Sequence, residues 1–439
     1  MEIFNKILAI IFSLSILLNA YYIKRVVKTW LVPGVLFSIF WVAYSLPPLI
    51  FLFNVPVNPL AILFITLSVI LFSWTSALFD WEKAFYLNSK KPLAINLYNK
   101  KNLRVTLKLL IALSIFGTVL QVRAQGINIY DMIMHPLVSA GKYAAKRYNQ
   151  GLNNSNYYIF SLVFAYLSVL LGGLIYGSTN RKKHKRLSLL SFIPSIIIMY
   201  TQGVKGLFFL STFFFLGSLM ITKFHDKKLD LFKLKTFFAF FKAFILIFVM
   251  MILSFMSRGM QNITSMNVLY VKIKFYMTSY AFTHIYAFSD WFSYYLGSNA
   301  TQVYEKSNNF FGYYTFRFIS QYYMPPEQRD IKGVYEEYFI YEDLIKSNIY
   351  TMYRGLIMDF SITGAIIFIA LNGLFLHFIF HIFLSLKKPV LSTAIVVFML
   401  AYFYMSYIIS LLTWNITILA FILFVLILIF NKYKFVIKK

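Results

Sequence analysis

The chain has 439 residues, of which 60% are hydrophobic and 20% aromatic, and its mean hydropathy is +0.69. This composition excludes a soluble globular domain, and repeated apolar runs of roughly 20 residues are typical of a multi-pass helical membrane protein. The chain has no cysteine, which excludes disulfides, thiolate metal sites and a cysteine nucleophile. The net charge of +27 lies largely in short loops between apolar runs, so it indicates orientation in a lipid bilayer rather than binding of nucleic acid.

The apolar runs predict an all-α polytopic membrane protein with about eleven transmembrane helices, in a range of roughly ten to twelve. The runs cover residues 3–22, 31–53, 60–79, 105–122, 157–176, 187–200, 207–221, 236–256, 354–384, 390–412 and 416–430. No small-residue cleavage site follows the first run, which we therefore interpret as an anchor. Basic residues concentrate in alternate loops, most densely in residues 181–186 (RKKHKR). Because basic loops face the cytoplasm, the N-terminus is predicted outside and the C-terminus inside.

This topology divides the chain into three stretches. Residues 1–256 hold predicted helices one to eight and an outer loop at about 123–156, residues 257–350 form a large outer segment, and residues 351–439 hold the last three helices. Most of the fifteen acidic residues fall in the outer segments. Any chemistry is therefore predicted to face the periplasm or the cell exterior.

Several cations lie at outer ends of apolar runs, where the positive-inside tendency disfavours them. They are Arg123, Lys205, Arg258, Arg317 and Arg354. Each one alone is explained by snorkelling or a local ion pair. Several together would bind an anion, and the fork of an arginine suits a diphosphate. Lys205 lies between Gly203 and Gly206 in a break between two runs, where free backbone N–H groups also favour phosphate.

The stretch from Ser347 to Gly364 places two charges, Arg354 and Asp359, just inside an apolar run. A charge at that depth is costly and marks either a function or a partner. Five positions correspond to about 140° around a helix, so these two side chains are not expected to pair. Tyr350 lies four positions before Arg354 and shares its face. Asp359 is either a structural partner for another group or a catalytic carboxylate.

Candidate catalytic and glycan-binding residues come from the outer segments and the charged run. The candidate general bases are Asp359, His284, Glu336 and Glu337. The candidate glycan-binding residues are Tyr350, Tyr313, Tyr314 and Trp291. Flat rings with a polar edge stack on sugar faces, although they also suit the lipid interface. The sequence contains no recognisable cluster of metal ligands, so no metal is predicted.

Residues 348–364 (NIYTMYRGLIMDFSITG) resemble the signature of the O-antigen polymerase (Wzy) family, N-x-Y-T-x-x-R-x-x-x-x-D-F-G-x-x-G. Ser361 takes the place of the glycine after Phe360, a change between small residues that we expect to matter little. Residues 311–316 (FGYYTF) resemble the upstream G-x-x-T-F element of the family. Residues 201–206 (TQGVKG) resemble its glycine-and-cation turn, with Lys205 where arginine is commoner.

The resemblance implies a GT-C-like glycosyltransferase of the bacterial inner membrane with an active site facing the periplasm. Its substrates would be a donor and an acceptor oligosaccharide, both carried on undecaprenyl diphosphate and joined into O-antigen or capsule-type polysaccharide. No metal or other cofactor is implied, and a separate chain-length regulator is a possible partner. Arg258 and Arg354 first, then Lys205 and Arg123, would stabilise the departing diphosphate.

Two alternative functions remain open from the sequence. An O-antigen ligase, which transfers glycan to lipid A–core, has the same predicted architecture. A flippase for lipid-linked oligosaccharides is disfavoured, because transporters usually contain repeated halves and polar residues at mid-membrane depth. Here polar residues concentrate on one predicted side, and no internal repeat is visible.

Overall fold

The computed structural model describes residues 2–128, 155–202, 205–226, 265–304, 311–325 and 335–432, with the isolated positions 130, 134, 139, 141, 245, 249 and 252. The described chain is mainly helical, with one two-stranded sheet. Its helices are α1 (Glu2–Val27), α2 (Pro33–Phe51), α3 (Pro59–Trp74), α4 (Trp81–Ser89), α5 (Ala94–Tyr98), α6 (Lys101–Ala124), α7 (Asn156–Gly177), α8 (Lys182–Leu189), α9 (Ile193–Gln202), α10 (Lys205–His225), α11 (Met266–Tyr295), α12 (Arg317–Ser320), α13 (Thr351–Ser385), α14 (Leu391–Met405) and α15 (Asn415–Lys432).

Eight helices of the described chain are long and apolar enough to cross a membrane. They are α1, α2, α3 with its 3₁₀ extension to Leu78, α6, α7, α10, α13 and α15. The helical, membrane-compatible character predicted from composition is therefore confirmed. The count of eleven stays a prediction. The run at 187–200 is divided among α8, a 3₁₀ turn and α9, the run at 390–412 contains the shorter α14, and the run at 236–256 lies almost wholly outside the described residues.

The chain forms two compact units, and each is assembled from separate stretches. The first comprises Met1–Phe85, Lys274–Ser385 and Tyr402–Asn415, and the second comprises Tyr86–Ile273, Leu386–Ala401 and Ile416–Lys439. The three consecutive stretches predicted above describe position relative to a membrane, which is a different property. That division remains a prediction.

Small residues let the helices of the first unit approach one another closely. A side chain at Gly373 of α13 would lie 2.6 Å from the backbone oxygen of Phe72 in α3, and one at Gly34 of α2 would meet Ser73 at 2.8 Å. The buried His377 joins these helices, since its Nε2 accepts from the Gly34 N–H at 2.9 Å. Close backbone packing with short polar bridges is the usual way in which apolar helices associate in lipid.

In the second unit, α7 packs against both α6 and α10. Glycine again sets the spacing, because a side chain at Gly173 of α7 would lie 2.3 Å from the backbone oxygen of Phe215 in α10. Between α6 and α7, Thr118 and Ser161 share a hydroxyl hydrogen bond of 2.6 Å. Both units thus rely on the same physical device, which is small residues that bring helix backbones together.

The chain enters α13 through a short antiparallel hairpin in the first unit. Strand β1 (Phe339–Tyr341) pairs with β2 (Ile345–Ser347), and Phe339 lies opposite Ser347. The hairpin returns the chain beside the residues that precede it, so the Tyr350 hydroxyl donates to the backbone oxygen of Glu337 at 3.0 Å. A glutamate and the first turn of an apolar helix are thereby placed side by side.

Helix α13 is interrupted at Ser361, whose φ of 64° and ψ of 175° are not helical. This backbone region is essentially reserved for glycine, and another residue held there costs on the order of 1–3 kcal/mol. Serine in place of the motif's glycine therefore carries a backbone cost at this position, and its expected small effect on function stays a prediction. A glycine would adopt this conformation without strain, because the chain turns here between two helical segments.

Candidate functional site

The guanidinium of Arg354 lies inside a cage of four aromatic rings. Its Cζ is 4.1 Å from the ring centroid of Tyr335, 4.3 Å from Tyr350, and 5.4 Å from both Trp291 and Tyr304. The arginine is 0% exposed. A desolvated cation over an aromatic face is stabilised by about 2 kcal/mol, so the rings offset part of the cost of removing the charge from water.

Glu337 supplies the negative charge of the cage. Its Oε1 lies 3.0 Å from Nη2 of Arg354, and the glutamate side chain is 18% exposed. Nε and Nη1 of Arg354 donate no hydrogen bond to any of the described residues. A buried donor without a partner costs about 1–3 kcal/mol. The cage therefore holds one pair of satisfied charges and two guanidinium nitrogens with hydrogen-bonding capacity left over.

One wall of the cage, Tyr304, is fixed by hydrogen bonds outside the cage. The Tyr304 hydroxyl donates to Oδ2 of Asp290 at 2.8 Å, and Asp290 also accepts from the backbone N–H of Thr301 at 2.7 Å. Burial raises the pKa of Tyr304 and of Tyr335, because the charged phenolate is disfavoured away from water. Both phenols therefore stay neutral near pH 7.

Asp359 holds the loop that supports another wall. Its carboxylate accepts the backbone N–H of Tyr314 at 3.2 Å and that of Thr315 at 2.7 Å. The Tyr314 ring in turn stacks on Tyr335 with centroids 5.5 Å apart and an interplanar angle of 11°. Asp359 and Arg354 thus have different partners, as their helical spacing predicts. The carboxylate acts on the cage through the loop rather than by touching the arginine.

Several candidates from the sequence come together in this region. Those that form the cage or its supporting loop are Arg354, Glu337, Tyr350, Trp291, Asp359, Tyr314 and Tyr313. Tyr313 is buried, and its ring centroid lies 4.6 Å from that of Tyr314. Glu336 is next to Glu337 and is exposed.

His284 lies apart from the cage, although it is on the same helix, α11, as Trp291. It is buried, and its Nε2 lies 2.9 Å from the backbone oxygen of Tyr44. That contact makes Nε2 the protonated nitrogen, since a carbonyl only accepts. Its ring packs edge-on against Tyr44 and Tyr407. These contacts are those of a residue that fixes α11 against α2, and its assignment as a general base stays a prediction.

Among the other predicted cations, Arg317 begins α12 in the first unit and is half-buried, whereas the rest belong to the second unit or to undescribed residues. Lys205 is buried at the start of α10, and Arg123 is exposed in the last turn of α6. Arg258 lies outside the described residues, as does Gly203 beside Lys205. Convergence of these cations with Arg354 on one anion therefore stays a prediction.

Two members of the cage, Tyr304 and Tyr335, were not singled out from the sequence. The available signal was the density of aromatic residues in the outer segment, which does not distinguish interfacial rings from those around a cation. Tyr335 is adjacent to the Glu336–Glu337 pair, and Tyr304 is far from the motif in sequence. Only the hairpin and the fold of the first unit bring both to Arg354.

Comparisons with protein-family models, with curated proteins and with solved structures find no match to this chain. The likeness of residues 348–364 to the O-antigen polymerase signature therefore remains a resemblance. The geometry itself indicates a class of ligand rather than a family. A buried cation, aromatic walls and nearby carboxylates at the start of an apolar helix suit a ligand with an anionic group and a sugar.

Proposed function

We propose that this protein is an inner-membrane glycosyltransferase that polymerises undecaprenyl-diphosphate-linked oligosaccharide repeat units on the periplasmic face. One observation carries the proposal. Arg354, at the arginine position of the polymerase signature, is fully buried at the start of an apolar helix and keeps two guanidinium nitrogens unengaged by the described residues.

In this proposal the leaving group is undecaprenyl diphosphate, whose negative charge grows as the glycosidic bond breaks. Cations placed beside that charge lower the barrier, and losing one such contact costs on the order of 3 kcal/mol. Nε and Nη1 lie on different edges of a guanidinium, so they can donate to two different oxygens of the diphosphate. Glu337 holds Nη2 of Arg354 at 3.0 Å and so fixes the orientation of the fork.

Access of a phosphate to Arg354 requires one cage ring to move, since the arginine is 0% exposed. In the proposed cycle the substrate displaces a ring and takes over the contacts that the ring made. The displaced tyrosine or tryptophan then offers its face to the sugar next to the diphosphate. Closing the rings behind the substrate would exclude water and favour transfer to the acceptor glycan over hydrolysis.

The acceptor hydroxyl needs a base, and the geometry orders the candidates. Asp359 already accepts two backbone N–H groups, which supports a positioning role for it. Glu337 is engaged with Arg354, whereas the neighbouring Glu336 is exposed. We therefore assign the base role in the proposal to Glu336 first and to Glu337 second.

The direct test is polymerisation by the purified protein in liposomes. The probe is undecaprenyl-diphosphate-linked repeat units extracted from the source bacterium after deletion of this gene. A ladder of products longer than one repeat unit, formed without other proteins, supports the proposal. If the repeat units stay single while the protein remains folded and inserted, the proposal is wrong.

Two further arms separate the rival functions. Adding lipid A–core as acceptor identifies a ligase if glycan is transferred to it and no polymer forms without it. A periodate-accessibility assay of the same liposomes identifies a flippase if lipid-linked glycan changes leaflet without any new glycosidic bond.

A further inference from the structure

The second unit contains a basic cavity of about 110 Å³ that is separate from the Arg354 cage. Three lysines line it, and each lies at or near the end of a helix. They are Lys100, just before α6, Lys388, just before α14, and Lys432, at the end of α15. His225, at the end of α10, and Tyr98 also line the cavity.

Hydrogen bonds fix the walls of this basic cavity. Lys100 donates through Nζ to the backbone oxygen of Asn431 at 2.6 Å, where the last carbonyls of α15 favour a cation. The Asn431 side chain donates to the backbone oxygen of Leu97 at 3.0 Å. The ends of α5, α6 and α15 are thus tied together around the opening.

The charge of the cavity is positive. No aspartate or glutamate belongs to its lining within the described ranges. Asp226 follows His225 in sequence, and its carboxylate accepts the backbone N–H of Ala94 at 3.2 Å. Lys388 and Lys432 are exposed, so their ammonium groups are accessible to an anion from outside.

Apolar residues next in sequence to the lining are exposed at the same helix ends. Ile95 is 46% exposed, Leu391 is 55% exposed and Phe430 is 61% exposed. Both α6 and α15 are long and apolar enough to cross a membrane, and the ends of helices that cross a membrane lie where headgroups and acyl chains meet. A ligand with a phosphate and a hydrocarbon tail would satisfy the lysines and cover the apolar rim.

We propose that this cavity binds the phosphate group of an anionic membrane lipid. The lysines contact the phosphate, while Ile95, Leu391 and Phe430 lie against the acyl chains. A soluble phosphate would make the contacts with the lysines but none with the apolar rim. The exposed apolar rim therefore favours a lipid. The site does not depend on the proposed transferase activity, because it belongs to a different unit of the chain.

The test is lipid binding by the full-length protein in detergent, measured by native mass spectrometry. The probes are phosphatidylglycerol, phosphatidylcholine of matched acyl chains, and inorganic phosphate as competitor. We expect phosphatidylglycerol to bind at least tenfold more tightly than phosphatidylcholine. Each of Lys388→Gln and Lys432→Gln should weaken it about fivefold, and the pair about 25-fold.

Lys183→Gln is the matched control, since Lys183 is an exposed lysine of α8 in the same unit and outside the cavity lining. It should leave phosphatidylglycerol binding unchanged. Equal binding of the two lipids, an unaffected double variant, or an equal loss with Lys183→Gln would each overturn the proposal. Displacement of phosphatidylglycerol by equimolar inorganic phosphate would also overturn it, because the site would then select phosphate alone.

Discussion

Among the described residues of the first unit, Lys6 and Arg354 are the two buried lysine or arginine side chains, and their hydrogen-bond partners differ. Lys6 of α1 donates to the backbone oxygens of Leu52 and Val55 and to the Tyr286 hydroxyl, so all three of its N–H groups have partners. Arg354 donates to Glu337, whereas its Nε and Nη1 donate to none of the described residues. The complete set of partners indicates a structural role for Lys6, and the incomplete set points to a ligand for Arg354.

The groups that surround Lys6 and Arg354 also indicate a structural role for the first and a ligand for the second. The ammonium of Lys6 lies beside the C-terminal end of α2, where the last carbonyls of a helix have no partner within the helix. It is 4.5 Å from one ring, that of Tyr286. Arg354 lies among four rings and beside one carboxylate. Carbonyl oxygens at a helix end are fixed in place, whereas aromatic side chains can change rotamer and admit a substrate.

The largest expected effect on stability comes from neutralising the partner of Arg354. Glu337→Gln leaves a buried guanidinium without its countercharge, which should lower the free energy of unfolding by about 3 kcal/mol. Thermal unfolding in detergent measures it. Glu336→Gln, at the adjacent exposed position, should change it by less than about 0.5 kcal/mol. Equal stabilities of the two variants would show that the ion pair does not hold the cage.

Removing the satisfied cation should cost less and leave the cage intact. Lys6→Met keeps an apolar stem of similar length. It removes the Lys6 donor from the carbonyl oxygen of Val55, whereas that of Leu52 still accepts from the Tyr286 hydroxyl, so we expect a loss of about 1–3 kcal/mol. The same unfolding assay applies, with the exposed Lys28→Met as control. A variant as stable as the parent would contradict the capping role of Lys6.

Substitutions at Asp359 distinguish positioning from base catalysis. An asparagine side chain would still offer one oxygen to the Thr315 N–H, so Asp359→Asn should reduce polymerisation about tenfold and Asp359→Ala about a hundredfold, near 1.4 and 2.7 kcal/mol of barrier. Initial rates with the lipid-linked repeat units measure this order. If asparagine and alanine lower the rate equally, the carboxylate itself transfers the proton.

The smallest effect tests the turn that follows the motif's Asp359–Phe360 pair. Ser361→Gly should relieve the strain of a positive φ and raise the free energy of unfolding by about 1 kcal/mol, since the gain exceeds the added freedom of the unfolded chain. Ser361→Ala keeps the strain and serves as control. A glycine variant no more stable than the alanine variant would mean that the serine is unstrained.

The sequence predicts the helical class well and the site incompletely. Long apolar runs alone determine that α1, α7 or α13 is a membrane-length helix, and the four-residue spacing places Tyr350 beside Arg354. Glu337 was a candidate base with no assigned partner, and its pairing with Arg354 depends on the turn between β1 and β2. Contacts of that kind join residues on different elements, so the periodicity of apolar residues does not predict them.

The conformation of Ser361 was missed for a different reason. Small side chains look interchangeable in a sequence, whereas the distinction that matters here is the backbone region each residue can occupy. The glycine that the resembled pattern has at the position of Ser361 was the available sign of an unusual backbone conformation. Its meaning became clear only from the positive φ between the two segments of α13.

The central claim is that Arg354 is buried for a ligand and Lys6 for the fold. The most direct measurement is the polymerisation rate of the double variant Arg354→Gln, Glu337→Gln, in which no unpaired charge is left. It is compared with the rates of Lys6→Met and of Glu337→Gln alone, all at equal amounts of folded protein. We expect a loss of at least about a hundredfold for the double variant beyond that of Glu337→Gln, and a near-parental rate for Lys6→Met. A double variant that polymerises as fast as Glu337→Gln alone would contradict it.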